Sequence, residues 1–138
     1  ARIKWLWRWV EQKRKSIEWL NAGHTPAVVY NPDADTFDEL SGSRGMPLGI
    51  FEEVEYKESQ RDVAPGQIII IATDGIWEAF EKNGGMFGKC CFLVIIRQNA
   101  AAGADDILNA VYNEINQFTA GQKSEDDITL VIIKIKKP

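Results

Sequence analysis

The sequence predicts an α+β domain, and three stretches carry that expectation. Residues 68–72, IIIIA, form the most hydrophobic run of the chain and read as a central strand buried on both faces. Residues 3–10 alternate, with Ile3, Trp5, Trp7 and Trp9 on one side and Lys4, Leu6, Arg8 and Val10 on the other, the period of a half-buried strand. Residues 105–118 place Ile107, Leu108, Val111, Ile115 and Phe118 at helical spacing, with Asp105 and Asp106 at the positive end of the helix dipole.

The remaining elements follow in order. The polar turn Lys13, Arg14, Lys15, Ser16 leads into the apolar run 17–20, which makes a hairpin with the first strand the economical reading. A basic, Trp-rich start could also suggest a membrane-surface helix, but tryptophans at i, i+2 and i+4 scatter around a helix. After Asn21-Ala22-Gly23-His24-Thr25-Pro26 come a short strand at 27–30, the turn Asn31-Pro32-Asp33-Ala34-Asp35 and another short strand at 36–40. Residues 41–49, SGSRGMPLG, read as a loop whose glycines allow sharp turning or close approach to a ligand. Residues 51–62 are a charged, alternating strand candidate, and Ala64-Pro65-Gly66-Gln67 is a turn. Beyond Thr73-Asp74-Gly75, residues 76–82 suggest a short helix ended by Asn83-Gly84-Gly85. Residues 87–99 suit a strand by composition and a helix by placement. Residues 121–125 form a loop, and 127–136 alternate as a final strand. Cys90 and Cys91 are expected to be core thiols rather than reactive ones. The tryptophans at 5, 7 and 9 are expected on the core or at a subunit contact.

Composition narrows the functional classes. With 138 residues, 45% hydrophobic, the chain reads as a single domain over 1–138. Sixteen basic against 20 acidic side chains, a formal charge of -4, argue against a nucleic-acid surface. No apolar run approaches the roughly 20 residues of a membrane span, and no signal-peptide pattern opens the sequence. The two cysteines are sequence neighbours and make no disulfide framework, so a reducing cytoplasmic setting is expected. His24 is the only histidine, which leaves carboxylates, serines and threonines as the catalytic vocabulary.

Two acidic positions sit where strands meet loops. Asp74 closes the buried run in ATDG, and Asp126-Asp127 opens the last strand in SEDDIT. Carboxylates at the ends of adjacent strands can converge, and such hard oxygen donors suit magnesium or manganese, which bind phosphate and activate water. Taken alone, Asp74 could equally be a turn residue and Asp126 a loop or cap residue.

The ordered combination is more specific: NAGH-x-P at 21–26, G-x-P-L-G at 45–49, P-G-Q-x5-A-T-D-G-I-x-E at 65–78, and S-E-D-D-I-T-L-V at 124–131. This order and spacing resemble the C-terminal half of the SpoIIE-type serine phosphatases, the bacterial branch of the metal-dependent protein phosphatase 2C family. The resemblance implies an α-β-β-α sandwich of two mostly antiparallel sheets flanked by helices, with the N-terminal part of the fold missing, and it assigns residues 87–99 to a helix. It places a centre of two divalent ions, Mn2+ or Mg2+, at one end between the sheets, with Asp74 and Asp126 as ligands. Asp127 would be a supporting or backup ligand, Gly75 would let the backbone turn beside the metal, and Thr129 would be a buried strand residue with a hydrogen-bonding hydroxyl. His24 is the tempting general acid, but the NAGH element aligns with a turn, so Asn21 and His24 are read as loop residues that tie it. The loop at 45–49 contacts substrate or a regulatory helix, or is simply a tight connection.

The resemblance also exposes a departure. Family domains run to about 200 residues or more and carry an upstream G-D-x-x-D element whose aspartate bridges both metals; none precedes Ile3. The expectation is therefore a partial phosphatase domain, with an incomplete metal site and little or no activity alone. The implied substrate is a phosphorylated protein such as an anti-anti-sigma-factor-like regulator, and uncovered sheet edges favour a homodimer. The alternatives are a noncatalytic regulatory or protein-binding module of the same fold, and a different magnesium-dependent phosphotransfer domain built on a parallel sheet.

Overall fold

A continuous run of isoleucines has no polar face to offer solvent, and in the computed structural model every residue of that run is buried. The structure describes residues 5–7, 16–42, 45–121 and 127–137. The expected strand residues outside 5–7 at the N-terminus, including Trp9, lie outside the described residues, as do Lys13, Arg14, Lys15, most of the loop at 121–125, and Asp126.

The strands are β1 (Trp5–Trp7), β2 (Ser16–Asn21), β3 (Val28–Asn31), β4 (Thr36–Glu39), β5 (Ser59–Asp62), β6 (Ile68–Ala72) and β7 (Leu130–Lys134). They form two antiparallel sheets, β1-β2-β5 and β4-β3-β6-β7. The β1–β2 pairing, Trp5 opposite Asn21, and the antiparallel order exclude the parallel alternative. Strand alternation then sorts the core. Val28, Tyr30, Ile68, Ile70 and Ala72 face the helices α1 (Lys89–Gln98) and α2 (Ala104–Phe118). Val29, Ile69 and Ile71 face Ile17, Trp19, Leu40 and Val63 on the side of the three-stranded sheet. Helices, four-stranded sheet and three-stranded sheet thus stack as three layers. Both described helices lie on the same outer side.

In α1, Phe92, Ile95 and Ile96 form the buried stripe. At about 100° per residue Cys90 falls opposite that stripe and Cys91 at its flank, so both thiols are exposed rather than in the core. Helix α2 buries Ile107, Val111 and Ile115, while Leu108 faces outward. Its first turn is closed by Asp106, whose Oδ2 accepts the Gly103 N–H at 3.3 Å. No helix among the described residues is long and apolar enough to cross a membrane.

Three elements differ from expectation. Residues 51–62 are strand only at β5, because the charged first part has no apolar face to bury; it loops out, tethered by the Tyr56 hydroxyl donating to the Met46 carbonyl at 2.8 Å. Residues 76–82 are not a helix. A single 3-10 turn, Asp74–Ile76, runs on as a turn through Trp77 and Glu78, after which the chain doubles back: Phe80 bridges Met86, and Phe87 N–H donates to Ala79 O at 2.9 Å. Gly84, at φ +83°, makes that reversal, a conformation glycine reaches without steric cost. Thr129 is exposed and precedes β7 rather than lying buried within it.

Candidate metal centre

The β6–β7 ladder runs from Ile68 opposite Lys134 to Ala72 opposite Leu130. One residue further the main chain still pairs, Thr73 N–H donating to Thr129 O at 3.0 Å. There the Thr73 side chain takes over. Its hydroxyl oxygen accepts the Thr129 N–H at 2.9 Å and donates to the Asp127 carbonyl at 3.1 Å. This substitution of a side chain for backbone ends the ladder and frees Asp74 to turn. The Asp74 carbonyl accepts from Trp77 and Glu78 N–H at 3.1 and 3.0 Å, and its carboxylate residue is exposed at the sheet end. Gly75 is buried within the turn. Asp74 and the backbone entering β7 at Asp127 are therefore fixed one strand apart. Thr73 is the residue that sequence reasoning passed over; a hydroxyl ending an apolar strand, directly before D-G, is the sign that it has a partner.

A second cluster forms at the same end. Val28 pairs with Ile70, so the chain before Val28 and the chain after Ile70 leave the sheet in the same direction. The turn 21–24 closes on itself: Asn21 Oδ1 accepts the His24 N–H at 2.8 Å, and Asn21 Nδ2 donates to His24 O at 2.9 Å. His24 Nδ1 donates to the Thr25 carbonyl at 2.8 Å. Gly45 N–H donates to Asn21 O at 2.8 Å, and Gly23, at φ +81°, has no room for a side chain, since a Cβ there would sit 2.8 Å from Pro47 Cγ. The turn 21–24 with the loop it holds at Gly45, the Thr73–Glu78 part of the third block and the start of the last at Asp127 thus lie at one end of the four-stranded sheet, whereas Pro65–Gln67 lie at the other and residues 124–126 fall outside the described residues.

The perturbed titratable groups among the described residues lie at the opposite end, around the β3–β4 turn: Tyr30 in β3, Asp35 in the turn and Arg97 on α1. Burial, then the hydrogen bond to Asp35, raises the Tyr30 phenol. The Tyr30 hydroxyl, donating at 2.9 Å, and Arg97 Nε, donating at 2.7 Å, hold the Asp35 carboxyl below its usual value. The bond to Asp35 in turn raises Arg97. This trio ties the turn to α1.

At the Asp74 end an exposed carboxylate lies one strand from the Asp127 carbonyl, and both are oxygen donors of the hard kind that could serve magnesium or manganese. Among the described residues no group of three or more His, Cys, Asp or Glu converges.

The family model for Stage II sporulation protein E (SpoIIE) matches residues 7–136. Phosphoserine phosphatase RsbU of Bacillus subtilis (strain 168) is 25% identical over 123 residues, 89% of this chain and 36% of RsbU. The SiaA-PP2C domain of Pseudomonas aeruginosa superimposes with a TM-score of 0.73 at 22% identity, covering 91% of this chain and 49% of that domain. The manganese-presoaked phosphatase domain of the cell fate determinant SpoIIE from Bacillus subtilis gives 0.65 at 20% identity, covering 97% and 57%. The chain thus spans about a third of RsbU and about half of the solved domains. The motif order, the antiparallel two-sheet architecture and the match over nearly the whole chain agree: this chain belongs to the SpoIIE family, with a protein phosphatase 2C-like fold.

Proposed function

We propose that the chain is part of a metal-dependent protein serine/threonine phosphatase of cytoplasmic bacterial signalling, with Asp74 and Asp126 as metal ligands and Asp127, Gly75, Asn21 and His24 supporting them. The observation that carries this reading is the Thr73 clasp, which ties the residue before Asp74 to Asp127, the residue after Asp126 in sequence. When bound, two divalent ions would supply a water nucleophile at neutral pH and offset phosphate charge; manganese was soaked into the related SpoIIE domain.

The chain's own residues provide the rest. The 3-10 turn aims the Asp74 carboxylate away from the core, and the exposed end of the sheet admits a phosphorylated side chain carried on a protein. The described residues supply fewer carboxylates than two metals need, so the remaining ligands come from outside them. The proposed substrate is a phosphoseryl or phosphothreonyl protein, an anti-anti-sigma-factor-like regulator being the candidate.

The test is manganese-dependent hydrolysis of p-nitrophenyl phosphate by the protein at its natural full length, compared with Asp74→Ala and Asp126→Ala. Each variant should lose more than about 100-fold, the upper figure for removing only a supporting contact of a metal ligand. Variants equal to the parent would show that the ligand assignment is wrong.

A further inference from the structure

The segment that loops out between β4 and β5 carries a feature the metal centre does not use. Its base is clamped: Gly45 N–H is bonded to Asn21 O, the Tyr56 hydroxyl to Met46 O, and Pro47 packs on Gly23. Gly45 itself has no space for a side chain, because a Cβ would sit 2.6 Å from the Tyr56 ring. Above this clamp the chain turns at Gly49, φ +84°. Met46, Leu48, Ile50 and Phe51 then leave 47–58% of their surface in solvent. Scattered exposed apolar residues are ordinary; four within six residues on a braced turn form a patch of the kind that marks an interaction site. Bracing lowers the ordering cost of binding.

Two further observations choose the occupant. Glu52 and Glu53 follow the ridge directly and are exposed, so the border after Phe51 is acidic. A two-fold contact centred on that border would set these carboxylates against each other, whereas a partner with lysine or arginine there is attracted. The ridge also stands on the turn 21–24, at the same end of the sheet as Asp74.

We propose that residues 46–51 are a docking ridge for the phosphoprotein substrate, gripping apolar residues flanked by basic ones beside the phosphorylated serine. This rests on the phosphatase reading above and adds its substrate preference.

The test uses the full-length protein with manganese and two phosphoserine peptides of equal length. One carries leucine, valine and arginine around the phosphoserine, the other glycine, serine and glutamate. Fluorescence anisotropy of the labelled peptides reads binding, and phosphate release reads KM and kcat. The parent should bind the apolar-basic peptide about tenfold more tightly, a difference expressed in KM. Ile50→Ser/Phe51→Ser should abolish that preference and leave p-nitrophenyl phosphate turnover at the parent level, and Glu52→Gln/Glu53→Gln should reduce it. Absence of preference in the parent, or its survival in Ile50→Ser/Phe51→Ser, overturns the ridge. Loss of p-nitrophenyl phosphate turnover in that variant assigns the loop a structural role and also overturns it. A parent that hydrolyses neither p-nitrophenyl phosphate nor the peptides refutes the phosphatase reading instead.

Discussion

Thr73→Val should loosen the candidate metal centre without touching a proposed ligand. Valine keeps the shape and β-branching of threonine but removes the hydroxyl, and with it the bonds to Thr129 N–H at 2.9 Å and Asp127 O at 3.1 Å. A hydrogen bond contributes a net of about 0.5–1.5 kcal/mol. Both of these lie at an exposed position, which sets the combined loss at about 1–2 kcal/mol. If that energy holds the 127–129 segment in place for binding, the manganese midpoint should rise about 5- to 30-fold. The assay is manganese titration of p-nitrophenyl phosphate hydrolysis in the full-length protein, with hydrogen exchange of the Thr129 amide as a readout independent of turnover. Thr73→Ser retains the hydroxyl and should restore most of both. A valine variant with the parent's metal midpoint and amide protection would refute the reasoning, as would a serine variant no better than valine.

Two further outcomes concern the scaffold. Ile69, fully buried on the face of β6 toward the three-stranded sheet, should cost about 2–5 kcal/mol when replaced by alanine; a shift in the urea midpoint equivalent to under about 1 kcal/mol would mean that the sheets do not enclose it. Asp35 is held below its usual carboxyl value by the Tyr30 hydroxyl and by Arg97, so its stabilising contribution is present above about pH 4, near the unfolded value, and fades as pH falls through the lower folded value. Asp35→Asn tolerates the same positive φ of +51° and should flatten the acid limb of a melting-temperature profile; an unchanged limb would show that the trio adds nothing to acid stability.

The features legible in the sequence were the ones carried by neighbouring residues. Short runs set off by turn residues marked β2, β3 and β4, alternation marked β7, uninterrupted isoleucine marked β6, and the 3.6 period marked α2, because burial of one face leaves its imprint on consecutive side chains. Where that imprint was weak the expectation failed. Residues 76–82 have helix-forming composition, yet the glycine turn at 84 lets them pair back on 86–88. The cysteines look apolar, but the stripe formed by Phe92, Ile95 and Ile96 turns them outward.

The sequence by itself determined the family, through four blocks in order, and nominated Asp74 as the carboxylate at the end of a core strand. Only the tertiary structure decided how those blocks meet. Thr73 finds its partners 54 and 56 residues away, and the turn at Asn21 is tied to the loop at Gly45 by a backbone bond. Periodicity records which face of an element is buried, but not which distant segment buries it. That choice is made when two sheets share one core and the ends of their strands are brought together.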